Sequence, residues 1–464
     1  MNAIVLTAMF GMLMMFSGAF NTNRQLHKKF ATAGIIILLV FNSMELYNGF
    51  RIMNIDRLGL LNVTSVSLVF VEVILLCTLF YFLLMGSEVE KVGKHVGDYF
   101  ALIYFILCGA TLCCHYNNIL MLFLGIEIMS IPQYVLAASD KGSIKSNEAG
   151  LKYFLLGSFS TGILLMGIAF LYGGNPNGSF FINQIQIGVG PMPVLMAIGL
   201  VFLLVALSFK VSAAPFHFYT PDVYDGTPTV FTAFISTIAK AAAFFAFVKL
   251  FSNAFGRVQD QWQMLIVGIT IATLLVGNIT AVFQQSVKRM MAYSSIAQAG
   301  FMLFAVFAIN DRAQEGLLIY AAAYCIASIG FFAILIKLKD YTIDGFNGLG
   351  KTQPLLAFCA TIFLLSLTGI PLTAGFQAKF IMLLSAADTG NYFWMLIIAV
   401  LFAAVSAYYY FRIIQAMYFK PAQLESHVNE ENISVGYKIT LLAGCLAIIA
   451  LGIYPELLIG WLYH

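Results

Sequence analysis

VFLLVALSFKVSAAPFHFYTP, residues 201–221, runs as an apolar membrane span into Lys210 and is then interrupted by Pro215 and Pro221. A lysine deep in a bilayer span costs at least about 2.5–3.5 kcal/mol on insertion scales, so such residues are rare and face a partner or a wet cavity. Proline inside the helix frees backbone carbonyls and amides, which is tolerated only where neighbouring helices or cavity water satisfy them. SLTGIPLTAGFQAKF, residues 366–380, repeats the construction, with Gly369, Pro371 and Gly375 ahead of Lys379. Interrupted spans in corresponding places mark the site of a repeated transporter unit.

The rest of the chain is built for lipid. Of 464 residues 61% are hydrophobic and 10% charged, against about 25% charged in soluble domains. Apolar stretches of spanning length recur from Met1 to Trp461, about 14 in all, and each break falls in the fourth span of a block of five. The longest stretches between spans, near Gly173 to Gly190 and Phe419 to Val435, are too short to fold with a core of their own, so no flavin, nucleotide or iron–sulfur domain is expected. The 7 cysteines lie in apolar spans without C-x-x-C spacing or a neighbouring histidine cluster, and read as small apolar side chains. No basic run points to nucleic acid. The first span lacks a positive n-region and a cleavage site, so it is expected to be a retained helix.

If the N-terminus starts outside, only Arg51, Arg57, Arg257 and Arg312 of the 24 lysines and arginines fall in outer loops. Most of the others fall inside, as the positive-inside rule requires, and both termini are then outside. Four lysines belong to no loop: Lys210, Lys240, Lys249 and Lys379. Lys249 sits near the outer end of its helix and reads as a residue that snorkels to the interface.

Glu127, in MLFLGIEIMSIPQYVLA, and Lys240, in FISTIAKAAAFF, join Lys210 and Lys379 as ionisable groups with long apolar flanks. Static interhelical ion pairs are the plain reading of such groups, and proton exchange is the sharper one. Burial disfavours the charged form, so each group can load and release a proton. Arginine would stay charged, and the choice of lysine at all three core positions therefore favours titration. A pair such as Glu127 and Lys210 would titrate as a coupled unit. His217, just after the first break, suits either a proton relay or a donor to freed carbonyls. Glu72 has no basic partner in sequence and reads as a protonated, hydrogen-bonded helix contact or a secondary transport residue. Glu45 and His115 sit near span ends and are expected at the interface. Asp222 and Asp225 look structural, with Asp225 suited to capping the following helix.

Four segments carry a family likeness: LGIEIMSIPQYVLAASDKGSIKSNEAGLKYFLLGSFS (124–160), SFKVSAAPFHFYTPDVYDGTPTVFTAFISTIAKAA (208–242), KRMMAYSSIAQAGFML (288–303) and SLTGIPLTAGFQAKF (366–380). Together they resemble the N-subunit family of proton-pumping NADH:quinone oxidoreductase, complex I, over nearly the whole chain. The resemblance implies an all-α polytopic membrane protein of about 14 helices with two inverted five-helix repeats, each holding one broken helix. The corresponding division is three N-terminal helices over 1–95, repeats over 96–255 and 256–420, and a last helix over 421–464. By position, Glu127 is the fifth-helix glutamate, Lys210 its broken-helix partner, Lys240 the eighth-helix relay lysine and Lys379 the twelfth-helix lysine.

The implied function is proton translocation through these buried groups, coupled to quinone reduction in other subunits. FMN, iron–sulfur clusters and quinone are expected on those partners, with none in this chain. Neighbours would include the antiporter-like subunit M and small subunits such as K, in a bacterial inner membrane with both termini periplasmic. A subunit of a multisubunit sodium/proton antiporter is the alternative, and a scaffold without transport the third. The sequence departs from the family pattern at Val230 and Leu372, where a second proline is common, and at Ala378, where glycine is common.

Overall fold

The computed structural model describes residues 1–20, 24–54, 56–185, 192–421 and 433–463. Parts of the two long connections noted above, 186–191 and 422–432, lie outside the described residues.

Six helices follow directly from apolar length: α1 (Asn2–Phe20), α2 (Arg24–Asn48), α3 (Ser65–Val92), α4 (Val96–His115), α5 (Ile119–Ala137) and α6 (Ile144–Gly174). The seventh span is split into α7 (Val194–Lys210) and α8 (Tyr219–Gly226). The eighth is α9 (Thr229–Phe234) and α10 (Lys240–Phe255), joined by a π-helical turn over Ile235–Ala239. A 3-10 turn at Gly256–Val258 separates it from α11 (Gln259–Val282), and α12 (Val287–Ala308) and α13 (Asp311–Leu335) follow. After the short α14 (Leu349–Thr352), the twelfth span is split into α15 (Pro354–Thr368) and α16 (Ala374–Ala387), before α17 (Phe393–Phe419) and α18 (Val435–Ile453). Among the described residues eleven helical runs are long and apolar enough to cross a membrane; one of them, Thr229–Val282, holds two spans, and the shorter α7, α15 and α16 complete the interrupted pair. The expected 14 spans are therefore all present.

A step of five spans between matching elements is an odd number, so each member of the second block runs antiparallel to its counterpart in the first. The two broken helices thus present their interruptions from opposite directions. The centre belongs to α12 and α13, which are almost wholly enclosed, whereas α1, α2, α17 and α18 keep most of their surface outward. α12 packs against α8, α10, α11, α13 and α16, so it touches both interrupted spans.

Candidate functional site

In the first break the chain leaves the helix after Lys210 and re-enters it at Tyr219. Ser212 takes a positive φ of 63°. The freed backbone groups are satisfied from nearby: the Ala214 amide donates to Thr273 Oγ1 at 2.9 Å, and the Tyr219 hydroxyl donates to the Phe209 carbonyl at 3.2 Å. Pro215 lies inside the break, while Pro221 sits in the first turn of α8, where a missing N–H costs nothing.

Lys210 closes α7 and reaches across to α5. Its Nζ donates to Ser130 Oγ at 2.9 Å and lies 3.5 Å from the Tyr134 hydroxyl. Glu127, one turn before Ser130, is half-buried, and its Oε1 is buried without a hydrogen-bond partner. The sequence suggested a Glu127–Lys210 pair; among the described residues no ion pair joins them within 4.0 Å, because Ser130 holds the ammonium. His217 is buried in the break, stacked on Phe218, with Nδ1 unpartnered.

Lys240 is the first residue after the π turn and is 2% exposed. A π turn inserts one residue into the helical phase, and such turns gather at functional sites. Here a carbonyl in that turn, Ser236 O, accepts from the Tyr324 hydroxyl of α13 at 2.9 Å. Lys240 Nζ donates to Ser295 Oγ and, at 3.2 Å, to Ser295 O on α12, with the Tyr224 ring 5.8 Å away.

Lys379 turns back from α16 onto the end of α15. Nζ donates to Leu367 O at 2.9 Å and Thr368 O at 2.8 Å, and lies 4.7 Å from the Phe301 ring centroid. A cation at a helix C-terminus meets both unpaired carbonyls and the negative end of the macrodipole. Gly369 makes the exit with φ 88°, and Gly375 lets α16 lie against Ser366 so closely that a Cβ there would stand 1.8 Å from the Ser366 carbonyl oxygen. Leu372 adopts φ 71°, a conformation closed to proline, so the departure from the family pattern at this position has a structural consequence.

The remaining sequence candidates separate cleanly. Glu72 accepts from Asn42 Nδ2 at 2.6 Å and Ser43 Oγ at 2.9 Å, a hydrogen-bonded contact between α2 and α3. Lys249 donates to the Cys114 carbonyl at 2.8 Å and so secures the end of α4. Glu45 and His115, expected at the interface, are both buried: Glu45 accepts from Arg51 Nε at 3.1 Å and His115 Nδ1 lies 2.9 Å from Ser67 Oγ. Asp225 does not cap α9, whose N-cap position is Pro228; it lies in the last turn of α8, 3.3 Å from Ser286 Oγ. Asp222 pairs with Lys152 at 2.8 Å and Arg289 at 3.1 Å. Lys337, assigned to a loop, is buried against Glu88 of α3. Among the described residues no three His, Cys, Asp or Glu side chains gather as a metal site.

Sequence reasoning missed Ser130, Tyr134, Tyr224 and Ser295. Only Ser130 had a signal, since it lies three residues after Glu127 on the same helical face.

The family model for the transmembrane region of NADH:quinone oxidoreductases and Mrp antiporters matches residues 116–405. The chain is 38% identical over 464 residues to NADH-quinone oxidoreductase subunit N of Cytophaga hutchinsonii, covering 99% of each. It is similar to a chain of respiratory complex I from Thermus thermophilus with bound aureothin, with TM-score 0.83, 29% identity and coverage of 99% and 98%. A chain of the Mrp complex from Dietzia sp. DQ12-45-1b, 19% identical, has the same fold, with TM-score 0.86 over 99% and 95%. This chain belongs to the NADH-quinone oxidoreductase subunit N family.

Proposed function

We propose that this chain is the antiporter-like membrane-arm subunit of a bacterial respiratory NADH:quinone oxidoreductase and carries protons through Lys210, Lys240 and Lys379, with Glu127 as the coupled acid. One observation carries this reading: among the described residues, each of the three lysines is held by neutral hydroxyl or carbonyl oxygens, with no carboxylate within 4.0 Å. A hydroxyl or carbonyl supports an ammonium without fixing its charge, whereas a buried carboxylate would lock the proton in place. His217, with its free Nδ1 inside the first break, is assigned an auxiliary role in proton exchange.

Flavin, iron–sulfur and quinone chemistry belongs to partner subunits, and quinone reduction there moves charge along this subunit. Subunit M and a small subunit such as K are the neighbours assigned. The excess of lysine and arginine in alternate loops puts both termini on the periplasmic side, so protons load from the cytoplasm. The relatives that match over the full chain favour this reading over sodium/proton exchange. In membranes with intact electron transfer, Lys210→Ala and Glu127→Ala should each abolish or sharply reduce NADH-driven proton pumping. Full pumping by either would overturn the proposal.

A further inference from the structure

Resting on that reading, we infer that Gln298 of α12 is the positioning residue for Lys379. The helical donor to the Leu367 carbonyl would be the amide of residue 371, but that residue is Pro371 and has none. Two donors from other helices replace it. Lys379 Nζ takes one side of the oxygen at 2.9 Å and Gln298 Nε2 takes the other at 2.8 Å. A carbonyl oxygen has two lone pairs, and here both are used.

The rest of the glutamine is fixed as firmly. A carbonyl can only accept, so the nitrogen end must face Leu367. Nε2 also lies 3.2 Å from the Tyr410 hydroxyl, and Oε1 accepts from the Tyr320 hydroxyl. Tyr410 in turn pairs with Ser294, the chain neighbour of the serine that holds Lys240. Gln298, Tyr320, Tyr410 and Ser294 are all buried, so none of these bonds competes with bulk water.

α12 carries this contact in register with two others. Lys288 donates to Asp225 O at 2.8 Å and to Thr227 O at the end of α8, Ser295 holds Lys240, and Gln298 holds Leu367. Positions 288, 295 and 298 fall on one face of a 3.6-residue helix. One enclosed helix thus touches the end of the first broken span, the central lysine and the end of the second broken span. A side-chain amide is not a general acid or base. Gln298 therefore transmits position: it fixes where the Leu367 oxygen points, and with it where the Lys379 ammonium rests.

The test uses the whole respiratory complex in inverted membrane vesicles, with protons pumped per NADH oxidised and assembled complex measured on native gels. Gln298→Leu is expected to lower that ratio about fivefold, the effect of one neutral hydrogen bond lost. Tyr410→Phe keeps the packing and frees one of the two Nε2 hydrogens while Leu367 and Tyr320 still hold both ends of the amide, with a smaller loss of about threefold. Because Gln298 acts through Lys379, the double variant Gln298→Leu/Lys379→Ala should pump no worse than Lys379→Ala alone. An unchanged ratio in assembled Gln298→Leu beside a deficient Lys379→Ala overturns the inference and leaves the proton route standing. Losses that multiply in the double variant overturn it as well. Full pumping by Lys379→Ala would instead remove the route on which it rests.

Discussion

Gly375→Ala should disable the second half of the route without touching any ionisable group. An ideal Cβ at this position stands 1.8 Å from Ser366 O, 2.7 Å from its carbonyl carbon and 3.0 Å from Ser366 Oγ. To bring the first contact from 1.8 to 3.0 Å, α16 must retreat from α15 by roughly 1.2 Å, and a packed core resists such a shift. Lys379 lies one turn further along the same face of α16 and moves with it. Its bonds to Leu367 O and Thr368 O, now 2.9 and 2.8 Å, then approach about 4 Å, beyond hydrogen-bonding range. Two hydrogen bonds to a charged group are worth about 1.5–3 kcal/mol each, so even half of that total amounts to a loss of tenfold or more. The assay is NADH-driven acidification of inverted vesicles, normalised to assembled complex. Gly162→Ala and Gly268→Ala serve as controls, since a Cβ at either meets nothing within 4 Å and alanine gains up to about 1 kcal/mol of helix propensity. Acidification by Gly375→Ala at the parental rate would refute the reasoning about the break.

Further outcomes follow from the same contacts. Ser130→Ala should impair pumping more than Tyr134→Phe, because Lys210 lies 2.9 Å from the serine oxygen and 3.5 Å from the phenol; parallel pumping assays on the two variants read the order. Lys337→Met leaves Glu88 buried beside Lys91 alone and should cost about 1.5–3 kcal/mol, as losing one hydrogen bond to a charged group does. It should lower the heat stability and yield of the complex while protons pumped per NADH stay constant. Glu88→Leu added to Lys337→Met should recover much of the stability. Asp222→Asn breaks the half-exposed contacts to Lys152 and Arg289 and should change stability by no more than about 1 kcal/mol, read as the thermal midpoint of the complex.

The spans were legible because lipid imposes a length: about 20 apolar residues recur wherever the chain crosses, and the charged loops between them sort by side. Both breaks were legible for a related reason, since proline at 215 and at 371 cannot donate. Pro371 even identifies the carbonyl it frees, that of Leu367. What the sequence withheld was everything decided between helices. Nothing in ISTIA announces the π turn before Lys240, in which the Ser236 carbonyl accepts from Tyr324 of α13. Gln298, Tyr320 and Tyr410 read as ordinary residues of apolar helices until packing brings them together. Charge near a span end was ambiguous in the same way: Lys337 found Glu88, 249 residues away in the chain, whereas Glu45 found Arg51 nearby.

The partner of each buried lysine matters more than its burial. Lys337 and Lys240 are similarly enclosed, yet Lys337 is bound to a carboxylate and Lys240 to a serine. The first arrangement fits a strut between α3 and the turn after α13; the second, on the proposed route, would leave the ammonium free to lose its proton. Neutral partners alone are not sufficient, since Lys249 and Lys288 also rest on carbonyls. Those two cap the ends of α4 and α8, where a cation suits the macrodipole. Lys379 caps an end as well, but an end buried in mid-span, created by Pro371. Lys210 combines both conditions: it rests on Ser130 while an unpartnered carboxylate oxygen of Glu127 lies one turn along the same helix. Three residues of helix are about 4.5 Å, within the sweep of a lysine side chain. On the proposed route the ammonium would have two resting places, Ser130 and Glu127, and a change of field from neighbouring subunits would decide between them.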